Sequence, residues 1–196
     1  MKKQIIRTAE APSSPLYSQG VRVGSTIYVS GTAGIDAAIT LRAVEKGDLE
    51  ILYAHQADPA ALRMAAVSGR DHPAFMAHWA KLLGDPSLMK QAILSDGALV
   101  GHLAAWEEGG RLLLGYWVGR DHCGRGIASR AVAAFLSQVA RRPIHAHVAQ
   151  HNAGSIRVLE RCGFRRVDQG IVAVAGVDVA EWVYVLDAAG ARTGSD

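Results

Sequence analysis

Apolar and polar positions alternate along this chain in blocks of strand and helix length. From residue 39 the strand-like run Ile39–Val44 gives way to a helix that Gly47-Asp48 opens and that continues to about Gln56. Asp58-Pro59 starts a further short helix with Asp58 as its N-cap, and Asp71-His72-Pro73 caps a clearer one over about Pro73–Leu83, ended by Gly84-Asp85-Pro86. The middle reads as a β-meander. Met89–Leu94, Leu99–Trp106 and Leu112–Val118 are apolar runs separated by Asp96-Gly97 and Glu108-Gly109-Gly110, both of them hairpin turn chemistries.

A glycine-rich polar stretch, Gly119–Gly126, then precedes the strongest helical stripe in the chain: Ile127, Ala131, Val132, Phe135, Leu136 and Val139. Ile144–Ala149 alternates as a strand, with His145 and His147 on one face. Asn152 caps a helix that runs to Arg161 or Cys162 and stops at Gly163. Strands at Gly170–Val174 and Ala180–Leu186 close the pattern, and the small, polar tail 188–196 is expected to fray. Before residue 38 the pattern is different. Val21–Val23 and Thr26–Ser30 read as two short strands around Gly24-Ser25, followed by the loop signal Gly31–Gly34.

Composition narrows the class. With 196 residues, 49% hydrophobic and 20% charged, the chain can build one domain with a real core. Its apolar runs fall short of the roughly 18 residues that span a bilayer, and residues 1–20 carry no secretory apolar stretch, so a cytoplasmic protein with no membrane partner is expected. The net charge is +3, and residues 1–38 alone contribute +2 of it through Lys2, Lys3, Arg7 and Arg22 against Glu10 and Asp36. The main body therefore lacks the basic footprint of a nucleic-acid binder. Two cysteines, Cys123 and Cys162, make no disulfide framework, and no His/Cys spacing reads as a metal site.

The candidate chemistry lies in two clusters. In Gly115–Ser129 a strand ends, a glycine-rich turn follows and a helix begins at once. Such a turn gathers backbone N–H groups into a nest, the helix N-terminus adds partial positive charge, and glycines at 124 and 126 let phosphate oxygens approach the backbone. The second cluster, Asn152–Phe164, follows a strand, caps a helix and closes with Gly163-Phe164.

Together these resemble the GNAT superfamily of N-acetyltransferases. Cys123-Gly-Arg-Gly126-Ile-Ala128 resembles its pyrophosphate loop, and Asn152-Ala-Gly-Ser155 its Asn-x-x-Ser/Ala helix. The resemblance covers about residues 39–187 and is nearest the branch of ribosomal-protein N-terminal acetyltransferases. It implies an α/β (α+β) fold: a mixed, mostly antiparallel sheet of six or seven strands with helices on both faces, splayed where Ile144–Ala149 diverges from Leu112–Val118. It also implies acetyl-CoA as co-substrate and an amine acceptor, a protein N-terminus or a small molecule, with a homodimer as one assembly.

By the same resemblance, backbone groups of Tyr116, Trp117 and Val118 bind the pantetheine arm. The N–H groups of Gly124, Arg125, Gly126, Ile127 and Ala128 hold the pyrophosphate, with Cys123 and Ser129 flanking them, and Asn152 and Ser155 border the thioester. Two positions depart from the family pattern. Leu159 stands where many members carry a general-acid tyrosine, leaving Ser155 either as the substitute acid or as a first-turn serine that satisfies backbone groups. Cys123 stands where Gln, Arg or Trp is usual, as a packing residue or a reactive thiol. Glu107 is the expected general base, with His102, His145 and His147 as strand residues that could face the slot and His151 just before the helix cap. A non-catalytic acyl-CoA-binding module remains the alternative.

Residues 1–38 resemble the start of the Rid/YjgF deaminase family through Pro15–Gly20 and Ile27–Gly31, with Tyr17 and Ser30 at its pocket positions. Only about a third of such a domain is present, so an appended segment is expected rather than an imine deaminase.

Overall fold

The computed structural model describes residues 37–188 and, by backbone, three strands before them. Tyr17, Ser30, the turn at Gly24-Ser25 and the tail from residue 189 lie outside the described residues. The chain divides into two compact units, Met1–Ala37 and Ala38–Asp196. In the first, β1 (Lys3–Ile6), β2 (Gly20–Val23) and β3 (Thr26–Val29) form an antiparallel sheet in that order.

The second unit is built on a seven-stranded sheet. Its strands are β4 (Ile39–Ala43), β5 (Met89–Ser95), β6 (Ala98–Glu108), β7 (Arg111–Val118), β8 (Ile144–Ala149), β9 (Arg165–Val174) and β10 (Val177–Leu186), in the order β4-β5-β6-β7-β8-β10-β9. Every pairing is antiparallel except β7 with β8. The helices are α1 (Leu49–Gln56), α2 (Pro59–Ala65), α3 (His72–Gly84), α4 (Ile127–Leu136) and α5 (Ala153–Arg161).

Two cores show that the helices cover both faces. Ile93, Leu103, Leu112 and Leu114 pack with the α4 stripe Ile127, Ala131, Val132 and Phe135 and with Leu159 of α5. Ala92 packs with Leu49 and Leu52 of α1 and with Phe75 and Trp79 of α3. Ala92 and Ile93 are neighbours on β5 yet join opposite cores, as the two-residue period of a strand requires. Each fully buried large side chain here contributes about 1.5–3 kcal/mol.

The caps form as their residue types dictate. The Asp58 carboxylate accepts from Ala60 N at 2.8 Å, Asp71 from Ala74 N at 2.8 Å, and Asn152 Oδ1 from Ser155 N at 3.1 Å. At the start of α1 the buried Asp48 takes a bidentate pair from Arg42, both bonds 2.7 Å, and a third bond from Glu45 N. The Arg42 hydrogen bonds hold the Asp48 carboxyl below the ordinary carboxylate range.

The end of α4 and the starts of β9 and β10 differ from the sequence reading. α4 ends at Leu136, although Val139 beyond it is still buried. The last hairpin is longer than read, with β9 starting at Arg165 and β10 at Val177. Most of β9 is solvent-exposed, so Arg165–Gln169 carries no alternation to read. The hairpin turns through Ala175 and Gly176, both at positive φ (50° and 81°), and alanine is not a residue that announces such a turn. Among the described residues no helix is long and apolar enough to cross a membrane.

Candidate functional site

The parallel strands β7 and β8 pair only at Leu112–Ile144 and Leu113–His145 and then part. Gly119 N donates to Val100 O on β6 at 2.9 Å. Successive residues of a strand aim their N–H and C=O groups at opposite edges, so those of Val118 and Tyr116 point away from β6 into the opening. The splay thus leaves an edge of unpaired backbone polar groups facing a slot of about 720 Å³.

The slot passes between the two layers of helices. On one side it is lined by Cys123, Gly124, Gly126 and the first residues of α4, Ile127, Ala128 and Ser129; Asn152, Ser155, Arg157 and Arg161 of the α5 segment flank them. On the other side stands α2, with Ala60, Ala61, Met64 and Ala65. Two contacts tie α2 across the splay. Asp58, its N-cap, pairs with Arg120 beyond β7 at 3.4 Å, and the Arg63 carbonyl accepts from His151 Nε2, beyond β8, at 2.9 Å.

The turn before α4 takes the shape its glycines allow. Gly124 (φ 78°) and Gly126 (φ 71°) are both left-handed, and Gly126 is the N-cap of α4. The N–H groups at the start of a helix have no intrahelical acceptor. The α4 and α5 N-termini both open on the slot, and Arg120, Arg157 and Arg161 line it. Among the described residues no aspartate or glutamate lines it. An elongated anion bearing a pyrophosphate fits this combination of dipoles, N–H nest and arginines.

Of the cofactor residues expected from sequence, Tyr116, Trp117, Val118, Cys123, Gly124, Gly126, Ile127, Ala128, Ser129, Asn152 and Ser155 come together on the slot. Arg125 does not line it; its carbonyl accepts from Arg130 Nη2 at 3.3 Å. Tyr116 donates its hydroxyl to the Ser155 carbonyl at 3.2 Å, and burial pushes its phenol up to about 12, so it stays protonated. Trp117 donates Nε1 to the His55 carbonyl at 3.0 Å on the α1 face.

One expectation about chemistry changes, and two positions gain a setting. Glu107 is not in the slot. Its pairing with Leu112 sets it at the closed end of β7, roughly 20 Å along the strand from Val118. There Arg141 donates to it at 2.6 Å, a bond that lowers its carboxyl further below the ordinary range, so it is neither placed nor poised to act as a base. Cys123 is exposed on the wall of the slot, its thiol 3.6 Å from Gly119 O and 3.8 Å from Val118 O, and desolvation raises its pKa away from the reactive thiolate. Leu159 is 1% exposed and belongs to the core, so α5 offers no hydroxyl at that position.

Of the histidines considered from the sequence, His151 lines the slot, while two others are engaged away from it. His147 Nδ1 contacts Glu181 at 2.7 Å, and His102 lies edge-on to Trp79. The sequence reading missed α2 as a wall. The helix is short and buries none of its residues, so it has no stripe to read. The pair Arg157 and Arg161, one turn apart on α5, was the signal available for the basic wall.

The comparisons agree with this geometry. The family profile described as an acetyltransferase (GNAT) domain matches residues 38–165. Among solved structures the chain is similar to an acetyltransferase (GNAT family) from Bacillus anthracis, at 20% identity and TM-score 0.67, covering 77% of this chain and 96% of that one. It is also similar to spermidine N-acetyltransferase from Vibrio cholerae in complex with CoA and spermine (18%, TM-score 0.64, 75% and 95% covered). A third is Mycobacterium smegmatis RimJ in complex with CoA-disulfide (21%, TM-score 0.61, 78% and 83% covered). No curated protein sequence matches the chain. At these identities the likeness to solved structures establishes the fold, and the profile match, over most of the second unit, establishes the family: the chain belongs to the GNAT acetyltransferases.

Proposed function

We propose that this chain transfers the acetyl group of acetyl-CoA to a primary amine by direct attack in a ternary complex. The observation that carries this reading is a single slot bounded both by the left-handed glycine turn at the start of α4 and by the unpaired edge of β7. When bound, acetyl-CoA supplies a thioester carbonyl open to attack.

The residues of the chain divide the remaining work. The N–H groups of Gly124, Gly126, Ile127 and Ala128 hold the pyrophosphate, and the Tyr116 and Val118 backbone edge takes the pantetheine arm as β8 would have done. The Val118 N–H, aimed into the slot, is the donor for the developing oxyanion. The Ser155 hydroxyl is the proton source for the departing thiolate, whose pKa of roughly 8–9 makes that help modest.

A lysine-like amine is protonated about a thousandfold over at neutral pH, so a base must act first. In place of Glu107 we assign this role to His151. It lines the slot, and because its Nε2 faces the Arg63 carbonyl, which only accepts, the neutral tautomer compatible with that contact offers Nδ1 as the proton acceptor. Residues 1–38 form an appended segment of which only the last residue falls within the family match, and their Rid-like resemblance gives them no part in this chemistry.

Incubation with acetyl-CoA and a panel of primary amines tests the reading through release of free thiol. Release that depends on the amine is expected. CoA binding without release for any amine would instead support a binding module. Ser155→Ala should lower kcat by about tenfold to a hundredfold while CoA affinity stays within about threefold.

A further inference from the structure

The walls of the slot constrain the acceptor as well as the donor, and this inference rests on the transferase reading above. CoA occupies the α4 and α5 side, where the N–H nest and Arg157 and Arg161 meet its phosphates. The acceptor is left with the α2 side, whose lining is Ala60, Ala61, Met64 and Ala65 together with Trp117.

The charges on that side are cationic or already used. Arg120 reaches across to Asp58. Asp58 itself accepts from Ala60 N and Ala61 N, so its oxygens serve the α2 cap and Arg120. The Glu181 carboxylate contacts His147 and does not line the slot. Among the described residues no carboxylate lines the slot, and the exposed Asp121 lies between the lining residues Arg120 and His122, whose own charges are cationic or neutral.

An ammonium held against such a wall gives up part of its hydration and gains no partner in return. The attacking nitrogen escapes this cost because it must lose its proton to react. A second or third ammonium on the same molecule does not. The ties of α2 to both diverging strands also hold the apolar wall across the opening.

We infer that the acceptor is a monoamine, a primary amine on an uncharged and partly apolar body such as the α-amine of a peptide, and that α2 discriminates against polycationic amines. The chemistry of the wall excludes polyamines and aminosugars bearing several ammonium groups.

The test compares kcat/KM at saturating acetyl-CoA for an alanyl-leucine amide, phenethylamine and spermidine. The monoamines should exceed spermidine by on the order of a hundredfold. Met64→Glu, on a helix that buries no residue, should shift that ratio toward spermidine by on the order of tenfold. Spermidine turned over as well as the monoamines, or a ratio unmoved by Met64→Glu, would overturn the inference and leave the transferase reading standing. CoA binding with no thiol release for any amine would overturn both.

Discussion

Gly126 carries the sharpest claim at the scale of single residues. Its φ of 71° is one that a side chain adopts at a cost of roughly 1–2 kcal/mol, and it caps the helix whose N-terminus faces the slot. Gly126→Ala should therefore weaken CoA binding by about tenfold or more, as isothermal titration would show, with the fold kept. His102 makes a different prediction. Its Nδ1 is shut away without a partner, and burial, with a smaller push from His55, brings its pKa down to about 4. The folded state holds this ring neutral, whereas the unfolded chain takes up a proton below about pH 6.5. The sign follows: stability is fully present above pH 6.5 and falls as pH drops toward 4. The residue as a whole is only partly buried, which discounts the loss to ~2 kcal/mol. Urea midpoints should fall over that range, and His102→Leu should flatten the fall.

At the scale of elements, the aim of β7 into the slot depends on how closely β6 backs it. Gly101 faces Val118 across that pair, and a Cβ at Gly101 would collide with the Trp117 carbonyl oxygen and press on the Val118 Cα. Gly101→Ala must push β7 outward at the residue whose N–H we assign to the oxyanion. It should cost ~1–3 kcal/mol of stability and lower kcat more than CoA affinity, by chemical denaturation and steady-state kinetics. Elements were legible where one face is buried or a cap is explicit. α4 announced itself by its stripe, and α2, α3 and α5 by Asp58, Asp71 and Asn152. The outer hairpin was not legible, because strands exposed to water need no alternation. Glu107 failed for a related reason. Its position at a strand end was readable, but which end of the sheet opens is set by where β7 and β8 part, a non-local fact.

At the scale of the molecule, function follows from a sheet that fails to close. Seven strands pair continuously except where β7 and β8 separate after two residue pairs, and the helices on either face then wall the gap. The resemblance carried by the two motifs implied this splay, and the residues it named for the cofactor lie on the slot except Arg125. The acceptor side was hidden, because α2 contributes only small apolar residues and acts by what it withholds. The most direct measurement is a crystal structure with CoA bound. The pyrophosphate should lie within hydrogen-bonding distance of the N–H groups of Gly124, Gly126, Ile127 and Ala128, and the pantetheine arm should run along Tyr116–Val118 between β7 and β8. Phosphates seated away from Gly124–Ala128, or an arm that does not enter the splay, would contradict this placement.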